Sequence, residues 1–248
     1  MELAYLGHAT CLLSLGGTKV LTDPFLRSHL GPLRRHGPVP DHSSLRPDVV
    51  VVSHLHRDHL DLPSLRRLDP RTPVIAPRGT ATVLGRAGLR EVTEVRAGDE
   101  VRVDGATVTA TEATHDDRRD PWGPRAEPVG FLLAGAGGRA YFPGDTDVFD
   151  GMAALGTLDL ALMPVWGWGP KLGPGHLDPA GSARALALLH PRVAVPIHWG
   201  TLYPAGLERL RPRPLAEPPR AFSRLAAREA PQVEVRVLAP GASTEVPT

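Results

Sequence analysis

Residues 49–61 read VVVVSHLHRDHLD, an apolar run that stops at three histidines and two aspartates. Four consecutive β-branched residues, with no polar residue alternating between them, predict a strand that is buried on both faces. Open α/β sheets place their ligand sites just outside the carboxyl ends of their strands. The polar residues that follow this strand therefore predict a ligand site, formed by His54, His56, Asp58 and His59.

Imidazoles and carboxylates are the usual protein ligands of zinc and related divalent ions. One short loop cannot surround a single ion with four ligands, so we expect two ions to share these residues. Three other apolar strands also end in such a side chain, namely His115 after ATVTATEAT, Asp145 after AYFPG and His198 after VAVPI. The alternative, a solvated polar turn, explains only the first cluster. The pattern predicts a two-metal site that Asp145 could bridge.

The composition is that of an ordinary soluble protein, with 248 residues, 42% hydrophobic, 22% charged and a net charge of +1. Such a balance does not favour nucleic acid as a partner. The single cysteine, Cys11, cannot form an internal disulfide, which favours a reducing compartment. The opening residues lack the basic start of a signal peptide, and no apolar stretch reaches the roughly 18 residues of a membrane span. We expect a cytoplasmic protein without stable membrane insertion.

Strands and helices alternate loosely in each half of the chain. Strands are predicted over ELAYL, TCLLSL, KVLTD, DVVVVS, PVIAP, several segments of 91–112, VGFLLAG, GRAYFPGD, LDLALMPV, VAVPIHW and VEVRVL, the last of these being the final strand. Helices are predicted over 62–68, 79–87, 178–191 and 217–230, and a long loop over 24–47. The order favours an α/β fold of two mixed sheets face to face with helices outside, in one domain over 1–248.

The stretch SHLHRDHLD resembles the signature of the metallo-β-lactamase fold, a four-layer αββα sandwich with its metals at the edge between two sheets. YLGHATCLLSLGGTKVLTDP, PGDTDVF, LMPVWGWGPKLGPGHLDPAGSA and PIHWGTL are similar to one branch of that superfamily. The branch contains the N-acyl-phosphatidylethanolamine-hydrolysing phospholipase D enzymes and the L-ascorbate-phosphate lactonases. The resemblance implies a metal-dependent hydrolase.

The resemblance also implies roles for single residues. One metal would bind His54, His56 and His115, the other Asp58, His59 and His198, with Asp145 bridging. Asp23 would orient a ligand or the nucleophilic water, His176 would face the substrate, and His8 would lie near the mouth of the site. Each of these three also has a structural alternative: a turn at Asp23, a residue before a helix cap at His176, and a structural role for His8.

Two departures from sibling families narrow the activity. Asp145 stands where antibiotic-degrading lactamases carry a cysteine, which argues against lactam hydrolysis. The short segment between His115 and Asp145 leaves no room for the inserted domain of nuclease members. Trp166 and Trp168 are candidates for an apolar cleft wall. Arg118 and Arg119 are candidates for gripping a phosphate, the alternative being a solvated charged loop.

Two divalent ions, zinc first and manganese or iron as alternatives, would generate a hydroxide nucleophile at neutral pH. Asp58 or Asp23 could then move a proton. The first hypothesis is a hydrolase of phosphodiesters with a small-molecule or lipid-like, phospholipid-like substrate. The second is a lactonase or carboxylic-ester hydrolase acting on a sugar-like substrate, and the third is a non-enzymatic binding module. An oligomer is compatible with all three.

Overall fold

The computed structural model describes residues 1–119, 122–167, 169 and 172–247. In chain order the described strands are β1 (Glu2–Gly7), β2 (Thr10–Leu15), β3 (Thr18–Thr22), β4 (His29–Leu30), β5 (Leu33–Arg35), β6 (Val49–Val51), β7 (Val74–Pro77), β8 (Val92–Val95), β9 (Glu100–Val103), β10 (Ala106–Glu112), β11 (Val129–Gly135), β12 (Gly138–Phe142), β13 (Leu160–Pro164), β14 (Val193–Ile197), β15 (Leu202–Pro204), β16 (Glu234–Val235) and β17 (Ser243–Glu245). The helices are α1 (Leu62–Leu65), α2 (Ala81–Gly85), α3 (Pro179–Leu189) and α4 (Glu217–Glu229), with short 3₁₀ helices at Asp150–Ala154, Leu207–Arg209 and Arg213–Leu215.

These strands form two large mixed sheets and one small sheet. The first large sheet has the order β17-β1-β2-β3-β6-β7-β8, and the second has the order β16-β14-β13-β12-β11-β10-β9. In the first sheet β3, β6, β7 and β8 run parallel, and in the second β12, β13, β14 and β16 do. The remaining pairs in both sheets are antiparallel. The predicted pair of mixed sheets is confirmed.

The valine run of β6 shows how the layers are built. Val49 and Val51 belong to the apolar core that both large sheets share, and Val50 and Val52 belong to a second apolar cluster on the opposite face. Successive side chains of a strand point to opposite faces, so a central strand covered on both sides requires an unbroken apolar sequence. The strand is therefore buried on both faces, as its sequence predicts.

Helices cover the outer faces of the two sheets. Leu65 of α1 and Val83 of α2 pack in the outer cluster of the first sheet. On the second sheet α3 lies against β13, and α4 lies against both α3 and β14. The cap predicted for α3 is present, because Asp178 Oδ1 accepts a hydrogen bond from the Gly181 amide at 2.7 Å. The four layers make the αββα sandwich that the resemblance implied.

Three expectations about single elements are wrong. The 24–47 segment contains β4 and β5, which pair with each other and with β15 in a separate three-stranded sheet. The segment 233–238 pairs only over β16, and the last strand is β17, which pairs with β1. Helices α1 and α2 are shorter than 62–68 and 79–87. The missed strands are only two or three residues long, so their sequences lack a periodic signal.

The parallel strands of both sheets end at the same edge of the sandwich. Asp23 follows β3 and His54 lies just beyond β6 in the first sheet, while Asp145 follows β12 and His198 follows β14 in the second. The two sheets are joined at this edge by main-chain hydrogen bonds, from Val129 to the Ser53 carbonyl and from His198 to the His8 carbonyl. Separately, none of the described helices is long and apolar enough to span a bilayer.

Candidate metal centre

Three histidines from two loops form a first group of converging nitrogens. His54 Nε2 lies 3.1 Å from His56 Nδ1, and His115 Nε2 lies 3.0 Å from the same atom. His54 and His56 come from the turn after β6, and His115 comes from the loop after β10. The potential ligand atoms of the three residues all lie within 4.8 Å of one another. The geometry brings together the three residues that the resemblance assigns to one ion.

A second group lies beside the first. His59 Nε2 and His198 Nε2 are 3.0 Å apart, and Asp58 Oδ2 lies 3.8 Å from the former and 3.9 Å from the latter. His8 joins this group through its Nε2, which lies 2.9 Å from Asp58 Oδ2. These residues are buried, and they include the three assigned to the other ion.

Asp145 stands between the two groups. Its Oδ2 lies 3.4 Å from His59 Nε2, and its Oδ1 lies 3.4 Å from His198 Nε2. Asp145 also falls in a potential metal-binding group with His115 and His176, whose ligand atoms lie within 4.8 Å of one another. One carboxylate is therefore within reach of both sets of histidines.

A close approach between the sheets sets the position of Asp145. The preceding residue, Gly144, has φ +63°, and a Cβ built on it would lie 2.4 Å from Ser53 Cβ. Only glycine combines this left-handed conformation with so short a distance to the neighbouring chain. Gly144 therefore lets the end of β12 approach the ligand turn closely.

Asp23 lies behind the ligand turn and is fully buried. Its Oδ2 lies 2.6 Å from His59 Nδ1, and its carboxylate accepts hydrogen bonds from the Ser53 amide at 2.7 Å and the Ser53 hydroxyl at 2.5 Å. These contacts point away from the open side of the site. Asp23 was expected to orient either a metal ligand or the nucleophilic water. Its position favours orienting the ligand His59, so the structure does not support a role for Asp23 in proton transfer.

His8 occupies a different place from the one expected. Its ring is 1% exposed and packs on the His198 ring with centroids 3.9 Å apart. Its amide donates to Thr201 Oγ1 at 2.7 Å, and its φ is +58°. Burial behind Asp58 excludes a position at the mouth of the site, so the assignment of His8 to substrate binding is corrected to support of Asp58.

His176 lies at the open side of the centre. Its Nε2 is 3.7 Å from Asp145 Oδ2, its ring packs edge-on against His115, and its side chain is 26% exposed. Its Nδ1 lies 3.2 Å from the carbonyls of Gly173 and Pro174. Among the histidines around the centre, His176 is therefore placed to meet a substrate through Nε2.

The two arginine candidates have different surroundings. Arg119 Nη1 donates to the carbonyls of Leu55 at 2.6 Å and Leu60 at 3.1 Å, and Nη2 donates to Leu60 at 3.1 Å. Those carbonyls flank the ligand turn, so Arg119 ties its two ends together. Arg118 is exposed in a turn where its amide donates to Asp116, and it is not among the described residues that line the cleft. The structure does not support a phosphate grip by Arg118, and it gives Arg119 a structural task that its sequence did not signal.

Trp166 does not form the wall of the cleft as expected. The Trp166 ring lies 5.9 Å from the Tyr203 ring and packs on the core, while its carbonyl accepts from His198 Nδ1. Trp166 is absent from the described cleft lining, so its assignment is corrected from wall to support of a ligand. Trp168 lies outside the described residues.

The cleft beside the metal centre has a volume of about 660 Å³. Several of the ligand residues and His176 line it. Apolar residues line it as well, namely Leu30, Pro32 and Leu33 around the β4–β5 turn, together with Leu172. This wall was not predicted, because the sequence of 24–47 indicates an irregular loop.

Burial and mutual interactions perturb the histidines strongly. Burial lowers the pKa of His198 to about 3 and that of His115 to about 4. Burial also opposes protonation of His59, but the carboxylates of Asp145 and Asp58 outweigh it and raise the His59 pKa well above its usual value. The carboxylates of Asp58 and Asp145 therefore favour positive charge beside His59, which a bound cation would also supply.

The donor set fits divalent cations. In four histidines Nδ1 donates to a protein oxygen, which leaves the Nε2 lone pair directed into the centre; the oxygens belong to Ser53 for His54, Asp23 for His59, Gly175 for His115 and Trp166 for His198. Ligands around a tetrahedral zinc ion are ~3.3 Å apart, because Zn–N bonds are about 2.0 to 2.1 Å. The observed separations of 3.0 to 3.9 Å are of that size.

Comparison with known proteins agrees with this fold and donor set. The family described as "Beta-lactamase superfamily domain" matches residues 18–199. A UPF0173 metal-dependent hydrolase of Methanopyrus kandleri is 31% identical over 260 residues, covering 99% of this chain and all of the relative. A UPF0173 metal-dependent hydrolase of Deinococcus radiodurans is 33% identical over 251 residues, with 99% and 100% covered.

Among solved structures, the metallo hydrolase Igni18 from the archaeon Ignicoccus hospitalis superposes with a TM-score of 0.73 at 24% identity, covering 98% of this chain and 97% of its own. The fold and the His/Asp cluster thus define a metal-dependent hydrolase of the beta-lactamase superfamily. The chain belongs to the UPF0173 metal-dependent hydrolase family.

Proposed function

We propose that this hydrolase uses two divalent cations, zinc in the first instance, and that its substrate is a phosphodiester. The observation that carries the proposal is the position of Asp145. Its carboxylate oxygens lie 3.4 Å from His59 Nε2 and His198 Nε2 of one ligand set, and its ligand atom lies within 4.8 Å of that of His115, which belongs to the other set. A carboxylate in this position could serve two ions, which supports a dinuclear site.

The ligand sets follow from the grouping of the side chains. One ion would be held by His54, His56 and His115 and the other by Asp58, His59 and His198, with Asp145 shared. Bound divalent cations lower the pKa of water and stabilise negative charge on the electrophile. Manganese and iron accept the same donors, so metal identity is part of the test.

The side chains around the ligands would keep the donors in place. Asp23 holds His59 with Nδ1 protonated, and His8 fixes one oxygen of Asp58. Because His8 occupies Asp58 Oδ2, we favour His176 over Asp58 for proton transfer. His176 Nε2 borders the cleft and would donate a proton to the leaving oxygen.

A phosphodiester is favoured over a sugar-like lactone by the chemistry of the cleft. Arg57 and Arg119 bring positive charge to its lining, which suits an anionic substrate. Among the described lining residues none is Ser, Thr, Asn, Gln or Tyr, the neutral side chains that commonly hydrogen-bond sugar hydroxyls.

The test is hydrolysis by protein stripped with a chelator and then loaded separately with zinc, manganese or ferrous iron. The substrates are bis-p-nitrophenyl phosphate and a panel of lactones. We expect metal-dependent turnover of the phosphodiester, with the lactones slower. Faster lactone turnover would favour the lactonase alternative, and a purified protein without metal or turnover would favour a binding module.

The role of His176 has its own matched pair of variants. His176→Asn should lower kcat by about 10²- to 10⁴-fold, the range for loss of a general acid, with unchanged metal content. His190→Asn is the control, because His190 ends α3 in a left-handed conformation that asparagine accepts and takes no part in the centre. Equal activity of the two variants would exclude His176 as the proton donor.

A further inference from the structure

The hairpin formed by β4 and β5 is a fixed wall. Leu33 is 5% exposed and packs with Phe25 and Leu202, and Leu30 packs against the same cluster. The buried guanidinium of Arg35 donates to the carbonyls of Pro38 at 2.8 Å and Phe25 at 3.0 Å, and also to that of Leu6 in β1. The hairpin is therefore held to the first sheet by its core contacts and by this arginine.

The fixed wall lines the same cleft as the metal centre. Leu30, Pro32, Leu33 and Leu172 give this cleft apolar surface, and several of the metal ligands line it too. Gly167 keeps the space between this surface and the ligands open, because a Cβ there would lie 3.1 Å from Leu172 Cδ2 and 3.7 Å from His198 Cε1. Apolar surface thus begins within one side-chain layer of the ligands.

The size of the cleft sets the size of the group it can hold. Its volume of about 660 Å³ falls within the roughly 300 to 1,000 Å³ of pockets that enclose drug-sized ligands. A polar group on the wall side would lose hydrogen bonds to water without gaining protein partners from the leucine and proline side chains. The wall therefore selects an apolar group, and the ligand side selects the charged one.

We infer that the substrate is amphiphilic: an aliphatic group of several carbons lies against Leu30, Pro32, Leu33 and Leu172, directly beside the phosphoryl group at the metal centre. This inference rests on the proposed two-metal site, and it adds a binding subsite for an apolar chain. Each buried methylene contributes enough transfer free energy for an affinity gain of roughly two- to four-fold.

The experiment measures binding, so it does not depend on turnover. Metal-loaded protein is titrated by calorimetry with methyl-, butyl- and octylphosphonate, each below its micelle concentration. We expect the Kd to fall by at least ~30-fold from methyl to octyl. Leu30→Ser should flatten this series, whereas Leu210→Ser, a matched change at an 80% exposed leucine outside the described cleft lining, should leave it unchanged.

The possible results separate the two proposals. A Kd that is the same for all three phosphonates overturns the apolar subsite, whatever the hydrolysis assays give. If the Kd falls steeply with alkyl chain length and Leu30→Ser does not reduce this dependence, the alkyl group binds elsewhere and the apolar subsite is again overturned. If Leu30→Ser does reduce this dependence but the protein hydrolyses no phosphodiester, the apolar subsite is supported and the proposed reaction is wrong.

Discussion

Replacing Arg119 by glutamine should weaken metal binding although Arg119 is not a ligand. Among the described residues its guanidinium makes three hydrogen bonds, one to the Leu55 carbonyl and one from each terminal nitrogen to the Leu60 carbonyl. His56, Asp58 and His59 all lie between these two carbonyls. Without the arginine, the ends of the turn are free to separate and the ligand atoms lose their mutual geometry.

The size of the effect follows from the hydrogen bonds lost. A hydrogen bond to a charged group contributes about 1.5 to 3 kcal/mol, and a glutamine amide can replace at most one of the three. Only part of this loss falls on metal binding, since the rest lowers the stability of the loop. Loss of residues that orient metal ligands typically costs 10- to 100-fold in affinity, so we expect the Kd for metal to rise by about that factor.

The assay is competition for zinc against a chromophoric chelator. Arg118→Gln is the matched control at the exposed neighbouring position, and its Kd should stay within about threefold of the wild type. Arg119→Lys should be intermediate, because an ammonium keeps the charge but cannot span both carbonyls. An Arg119→Gln variant with unchanged metal affinity and a raised KM would refute this reasoning and restore Arg119 as a substrate contact.

Three further predictions concern packing and protonation. Gly144→Ala should reduce metal content, because the alanine Cβ would lie 2.4 Å from Ser53 Cβ and displace the neighbouring Asp145 from the ligand turn. Full metal content of this variant by mass spectrometry would contradict the prediction. Arg35→Met should lower the free energy of unfolding by about 2 to 4 kcal/mol and Tm by ~5 to 15 °C, because it removes the buried hydrogen bonds of the guanidinium. The control is Arg34→Met at an exposed position. Equal Tm values for the two variants would contradict the prediction. Metal-free protein should lose stability as the pH falls from about 6.5 towards 4. The folded state lowers the pKa values of His115 and His198, so unfolding in this pH range takes up protons. A free energy of unfolding, measured by chemical denaturation, that does not change with pH in this window would contradict the prediction.

The grouping of the histidines and aspartates could be predicted because one rule locates them all. Each candidate ligand follows a segment that the sequence predicts to be a strand, and the carboxyl ends of strands that run in the same direction meet at one edge. The run VVVV is readable because β6 is covered on both faces. Residue type then identifies the chemistry, since imidazoles and carboxylates at such an edge suit divalent metals.

The surroundings of the ligands could not be predicted, because they depend on partners distant in sequence. Arg119 contacts main-chain carbonyls, which any residue can provide, so no motif signals the pairing. The β4–β5 hairpin is too short to show periodicity and is stabilised by β15 and by Arg35. Trp166 was expected in the cleft wall because it lies shortly before His176 in a Gly- and Pro-containing segment that is hard to pack as a regular element, whereas its ring packs beside that of Tyr203.

The central claim is that Asp145 joins two metal sites, and metal stoichiometry tests it most directly. The metal content of purified wild type and of Asp145→Ala would be measured by mass spectrometry against protein concentration. We expect about two equivalents in the wild type, falling sharply in the variant, because Asp145 is within reach of His59 and His198 in one ligand set and of His115 in the other. One equivalent that the substitution leaves unchanged would contradict the shared carboxylate and the two-metal reaction together.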